Sequence, residues 1–380
     1  MTIQSLRSFR FVIPCLVFVV AIAPLAFAAE TVAPAKLDQA KVNDAINRAA
    51  DFLKQAQSND GSFSSASGPG VTAIVAASLL RSGRTVNDPV VAKALKFLES
   101  NVHEDGGIYQ KGGNHKNYET CLGIMAFSEA NADKRYDKLL ADAEKFVKKE
   151  QWDEGESKSI DDVNYGGAGY GSSSRPDLSN TSFLIDALHS LGRGDDDPAI
   201  QKALIFVSRC QNLESKYNAT PLAAKVDDGG FYYTVAAGGS SPAGKTDDGG
   251  LRSYGSMTYA GFKSMIYAGV KRDDPRVKAA YEWMQKNYTL DENPGMAQQG
   301  LYYYYHSFAK ALAAIGENTL IDARGNSHDW RAELAEKYLS QQNADGSWVN
   351  KTPRWMEGDP NLVTSYGLLC LSYCKDKPKK

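Results

Sequence analysis

Cysteine, histidine and tryptophan are scarce in this chain of 380 residues, with five of each. Cys15 stands inside an N-terminal apolar run, which leaves Cys121, Cys210, Cys370 and Cys374. None of these has the paired spacing of a zinc site, so no metal is assigned and no cofactor is expected. Cys370 and Cys374 lie one helical turn apart, a separation that rarely closes a disulfide, and buried free thiols are the expectation. An excess of one charge is also missing. Lys and Arg number 43 against 45 Asp and Glu, for a net charge of −2. No basic surface therefore points to a nucleic-acid partner. After residue 27 no apolar run is long enough to cross a bilayer, so no stable membrane span is expected.

The one long apolar run is N-terminal. Arg7 and Arg10 precede Phe11 to Phe27, a stretch broken by Pro14 and Pro24 and ending in Ala26-Phe27-Ala28. This is the pattern of a cleaved secretory signal. The expectation is a signal peptide over residues 1–28, export to the periplasm or beyond, and one domain over residues 29–380. Oligomeric state is not legible.

The remaining chain repeats itself. Leu53, Gln57, Gly61 and Phe63 recur with the same spacing as Tyr338, Gln342, Gly346 and Trp348. An apolar residue followed four positions later by Gln or Asn occurs four more times: Phe97 with Asn101, Val147 with Gln151, Val207 with Gln211, and Trp283 with Asn287. Six copies of one unit dictate the architecture before any single residue does. Each copy ends an amphipathic helix, and a second helix, apolar nearly all round, follows after a loop of variable length. A helix with one polar face lies outside and one apolar on most faces is buried. The predicted fold is therefore all-α, an (α/α)6 toroid of six outer and inner helix pairs. Asp88-Pro89, Asp197-Pro198 and Asp274-Pro275 read as N-caps of the next outer helices, with proline at the first helical position.

The loops inside the repeats, counted from the marker Gln or Asn to an aligned Thr of the inner helix (Tyr in the fifth copy), differ widely. The third spans 151 to 181 and the fourth 211 to 258, or 30 and 47 residues by subtraction. All six loops join corresponding helix ends, so they gather on one rim, and long insertions there usually carry function.

Six repeats with a Gln-x-x-x-Gly-x-Trp signature, complete at Gln342 to Trp348 and nearly so at Gln57 to Phe63, resemble the terpenoid cyclase and protein prenyltransferase α/α-toroid superfamily, which includes squalene-hopene cyclases. The resemblance implies that the Gln and the aromatic are structural staples. It also implies catalytic motifs that this chain lacks. No Asp-x-Asp-Asp run is present, Asp247-Asp248 has no nearby cysteine for zinc, and Gly295 to Gln299 lacks the cysteine of a thioester domain.

Chemistry is expected from the long loops. Asp161-Asp162, Asp227-Asp228 and Asp247-Asp248 stand beside glycines, and carboxylates gathered at a cavity mouth raise one another's pKa. Asp-Gly is also ordinary turn chemistry. Asp162, Asp228 and Asp248, together with His306 on the fifth inner helix, are the candidate catalytic residues. Tyr165, Tyr170, Phe231, Tyr254, Tyr259 and Tyr302 are the candidate ligand-binding residues, since ring faces stabilise cations and stack on sugars. Loops 152–180 and 212–257 are expected to meet over the cavity. The preferred reading is an exported toroid holding an apolar or amphiphilic, isoprenoid-type ligand in an aromatic cavity. A carbohydrate-active (α/α)6 enzyme acting on a saccharide, as a glycoside hydrolase or polysaccharide lyase, and a non-enzymatic scaffold are the alternatives.

Overall fold

The computed structural model describes residues 1–2, 37–171 and 174–375. Contacts divide the chain into residues 1–35 and a unit of residues 36–380. Residues 3–28 of the predicted signal peptide lie outside the described residues. Among those described, twelve helices of eleven residues or more carry the fold. The outer ones are α1 (Gln39–Ala56), α3 (Pro89–Glu99), α5 (Asp137–Lys149), α7 (Pro198–Arg209), α9 (Pro275–Lys286) and α11 (Trp330–Gln341). The inner ones are α2 (Gly70–Arg81), α4 (Lys116–Glu129), α6 (Leu178–Ser190), α8 (Gly255–Tyr267), α10 (Leu301–Ile315) and α12 (Pro360–Cys374). The described strands, β1 (Leu320–Ile321) and β2 (Ser327–His328), form one antiparallel hairpin with Leu320 opposite His328.

Hydrophobic patterning decides which ring each helix joins. In α1 the buried residues Val42, Ala45, Ile46, Ala49, Ala50 and Leu53 recur at helical spacing along one stripe. In α2 every residue from Gly70 to Leu79 is buried. The inner helices pack in the order α2, α4, α6, α8, α10, α12, and α12 returns to α2, which closes the ring. Helices α3, α5, α7 and α9 lie chiefly against the inner helix that precedes them, and α1 lies against α12. The predicted toroid is the observed fold. No described helix is long and apolar enough to cross a membrane.

The repeat markers are joints between neighbouring repeats. Gln57 Nε2 donates to the carbonyls of Gly61 and Val90, Gln151 to Gly166 and Ala199, Gln211 to Gly229 and Arg276, and Gln342 to Gly346 and Ala45. Each glutamine thus ties its own turn to the first half of the next outer helix, and the last one ties back to α1. Asn101 and Asn287, one methylene shorter, donate instead to the carbonyls of Phe97 and Trp283 in their own helices. The aligned threonines form a second set of pins. Thr72, Thr120, Thr181, Thr258 and Thr364 accept the backbone N–H of Phe63, Ile108, Ala168, Phe231 and Trp348. Gly346 closes the circle: with φ at 90°, a Cβ there would sit 2.4 Å from the Arg48 carbonyl of α1.

Asp88, Asp197 and Asp274 cap α3, α7 and α9 by accepting from Val90, Ala199 and Arg276 N–H, with proline next in chain. The four described cysteines are free and buried.

Candidate functional site

The lumen of the inner ring is crossed by an aromatic septum. Tyr118 of α4 meets Phe183 of α6 edge-on at 5.2 Å, Phe183 faces Tyr303 of α10 at 6.1 Å, and Tyr303 reaches Tyr366 of α12 at 6.2 Å. Above it, at the N-terminal ends of the inner helices, a cavity of about 560 Å³ opens among the loops. Below it a second cavity, of about 1090 Å³, occupies the opposite end. Ile74, Phe183 and Tyr366 line both.

The loop-side cavity is walled by Val71, Met257 and Leu362 and roofed by Tyr170 and Tyr233 from the two long loops. These loops meet as the sequence predicts. Leu178 N–H donates to the Tyr233 carbonyl, and Thr234 Oγ1 donates to the Pro176 carbonyl. Trp355 and Met356 complete the mouth. Both adopt positive φ, 56° and 65°, and with Tyr170 they are among the few exposed large apolar side chains.

One carboxyl enters this cavity. Glu119, in the first turn of α4, is 3% exposed and accepts the Gln110 N–H at 2.8 Å. Burial pushes its pKa up to about 7, against the lowering effect of that hydrogen bond. It can therefore hold a proton near neutral pH. Asp177, the N-cap of α6, is pushed up to about 6 by burial although it accepts from Asn180 N–H and Nδ2. Its neighbour Tyr233 is held far above the usual phenol range, burial being the first cause and the Asp177 charge the second.

The predicted acidic cluster does not form in this cavity. Asp162, Asp228 and Asp248 are absent from its lining. Asp162 accepts from Asn164 N–H and pairs with Lys158 at 3.0 Å. Asp248 is exposed and accepts from Thr246 Oγ1 and Gly250 N–H. Both pKa values are lowered, opposite to the expectation: at Asp162 the Asn164 N–H and Lys158 outweigh burial, and at Asp248 the Thr246 hydroxyl leads. Asp228 accepts from Gly230 N–H, Ser253 Oγ and Trp283 Nε1, which fixes a turn against α9. His306 lies at the septum, stacked on Tyr366 at 5.5 Å, and lines the opposite cavity. Burial holds its pKa well below the ordinary value, so the ring is neutral.

Of the predicted ligand-binding residues, Tyr170 and Tyr254 line the loop-side cavity. The others are absent from that lining. Tyr165 donates to Glu154, Phe231 packs where Gly261 leaves room, Tyr259 packs on Tyr304 and Phe308, and Tyr302 lies edge-on to Tyr338. Glu119, Tyr118, Phe183 and Tyr366 escaped the sequence reading. The repeat register held the signal, because residues two before and two after the aligned threonine share one helix face. That face carries Tyr118, Ser179, Ser256, Tyr303 and Leu362 before the aligned residue, and Ile74, Phe183 and Tyr366 after it, all of which line the cavity. Among the described residues no group of three His, Cys, Asp or Glu is placed to hold a metal ion.

Residues 64–234 match the family model of the squalene-hopene cyclase C-terminal domain. No curated protein matches the chain. Among solved structures, a type II terpene cyclase from Scytonema is similar over 89% of this chain and 98% of its own, at 15% identity and a TM-score of 0.50. A polysaccharide lyase is similar over 88% and 96%, at 11% identity and a TM-score of 0.55. A glycosyl hydrolase family 88 protein from Bacteroides vulgatus is similar over 87% and 98%, at 11% identity and 0.54. At such identities the likeness shows the fold alone: the chain is an α/α toroid, and residues 64–234 of it are similar to the squalene-hopene cyclase C-terminal domain.

Proposed function

We propose that the loop-side cavity binds an apolar or amphiphilic, isoprenoid-type ligand, with Glu119 placed to exchange a proton with it. The observation that carries this reading is the lining itself: tyrosine, phenylalanine and tryptophan rings surround a cavity that one carboxyl, its pKa pushed up to about 7 by burial, enters. Ring faces stabilise a developing cation, and a carboxyl whose pKa lies near the working pH is suited to donate a proton. The volume falls within the range of small-molecule sites. Saccharide hydrolysis asks for two carboxyls facing each other across the scissile bond. Asp177, which accepts from Asn180 Nδ2, is not part of the lining, so the sugar reading is less favoured. The leader read at residues 1–28 would place the cavity outside the cytosol, where a hydrocarbon or its alcohol is more available than a diphosphate ester.

The test is to titrate the full chain with geranylgeraniol and, separately, with a uronate-containing oligosaccharide, following tryptophan fluorescence. Saturable binding of the isoprenoid is expected, weakened at least tenfold in Tyr303→Ala with the helical circular dichroism unchanged. Saturable binding of the sugar together with none of the isoprenoid would overturn the reading.

A further inference from the structure

Beneath the septum lies a charge arrangement that the loop-side chemistry does not use. Asp186 of α6 pairs with Lys263 of α8 at 2.6 Å and with Lys310 of α10 at 2.7 Å. The three side chains are 3%, 5% and 11% exposed. One carboxylate therefore faces two ammonium groups near the axis of the ring, and a buried charge without its own counter-ion is expensive. Lys263 is the better satisfied, since it also donates to Ser182 Oγ at 2.8 Å, and burial pushes its pKa down to about 8. Lys310 differs. An ammonium carries three donors, and among the described residues Asp186 is the one partner recorded for it. Lys310 also lines the 1090 Å³ cavity, at its inner end, whereas Lys263 does not line it.

The surroundings define what could complete this charge balance. His306, one turn before Lys310 on α10, is held neutral by burial and closes the inner end with Phe183 and Tyr366. The walls nearest them are apolar, from Ile74, Leu122, Met125, Ile266 and Leu369. Toward the mouth, Arg81 is engaged by Glu129 at 3.4 Å and lies over Tyr373, while Arg331 lies over Trp330 and donates to the Tyr373 carbonyl. These outer cations already have partners, and Glu129 opposes a highly charged anion. At the closed end of the chamber the two ammonium groups outnumber their carboxylate by one.

The geometry points to a second binding site in this lower cavity, one that receives an organic monocarboxylate with an apolar body, its carboxylate accepting from Lys310. This site is separate from the loop-side cavity and does not rest on the function proposed for it. The carboxylate supplies the counter-ion missing from the Asp186, Lys263 and Lys310 cluster, and the hydrocarbon lies along the apolar wall toward the mouth.

The experiment uses the full chain, with dodecanoate and dodecan-1-ol as probes in titration calorimetry. Dodecanoate is expected to bind at least tenfold more tightly than the alcohol of equal length. Lys310→Met leaves Asp186 with Lys263 as a matched pair, so the fold should survive while the preference for carboxylate disappears. Ala313→Trp, which fills the cavity without altering charge, should abolish binding of both probes while geranylgeraniol binding is unchanged. Equal binding of acid and alcohol by the native chain, or an undiminished preference in Lys310→Met, would overturn the site. So would dodecanoate binding that Ala313→Trp leaves intact. Loss of geranylgeraniol binding alone, with these outcomes in place, bears on the loop-side cavity and not on this one.

Discussion

Trp348→Ala is expected to lower the free energy of unfolding by about 3–5 kcal/mol, read as an earlier urea midpoint with the slope unchanged. Trp348 is completely buried. Its Nε1 donates to the Tyr338 carbonyl at 2.9 Å, its backbone N–H donates to Thr364 Oγ1, and its ring stands edge-on to Tyr338 at 5.5 Å. Space for the indole exists because α12 carries Gly367, where a Cβ would lie 2.8 Å from the ring. Truncation therefore opens a cavity between α11 and α12 and orphans a buried carbonyl. The effect reaches the ring closure as well, because the same turn positions Gln342 and Gly346 against α1. Trp348→Phe, which keeps a ring but loses the N–H, should lose less. An unchanged midpoint in the alanine variant would show that this turn is not a staple.

Glu119→Gln should flatten the pH dependence of stability by up to about 3 kcal/mol. In the unfolded chain the carboxyl titrates at its ordinary value of 4.5, whereas in the folded protein burial holds the proton to about 7. Between these values the folded state binds more protons, so its stability falls as pH rises through the window and stays lower above it. Glutamine carries no charge at any pH, so the variant should match the native chain in acid and exceed it at pH 8. The difference between the two curves isolates this residue from Asp177, which acts in the same direction, and from Asp248, which acts in the opposite one. Parallel curves from pH 4 to 8 would contradict a protonated Glu119.

Legibility followed the physics of each feature. The toroid was readable because its joints recur: glutamine, turn glycine and aligned threonine return in the same order along the chain although the loops between them vary in length, and the four glutamines and five threonines make the same bonds in their own repeats. Misplacement of the acids came from reading the long loops apart from the short ones. Asp228 precedes Gly229 just as Asp60 precedes Gly61, Asp105 precedes Gly106 and Asp345 precedes Gly346. In all four the carboxylate accepts the N–H two residues on, so the pair is part of the repeat's turn. Asp162 makes the same bond to Asn164. The cavity was less legible because the inner helices are apolar on nearly every face. Periodicity alone cannot say which face meets the lumen and which meets the outer ring. Tyr302, Tyr304 and Tyr305 show the difficulty: they pack outward, with the Tyr304 and Tyr305 hydroxyls donating to the carbonyls of Thr289 and Leu290, while Tyr303 alone of the four lines the loop-side cavity.

The most direct measurement is a crystal structure of the full chain soaked with geranylgeraniol. Ligand density is predicted in the loop-side cavity, its chain against Tyr118 and Tyr303, with an unsaturated carbon within reach of the Glu119 carboxyl. Density confined to the cavity beneath the septum, or an empty loop-side cavity in crystals that take up an oligosaccharide there instead, would contradict the account.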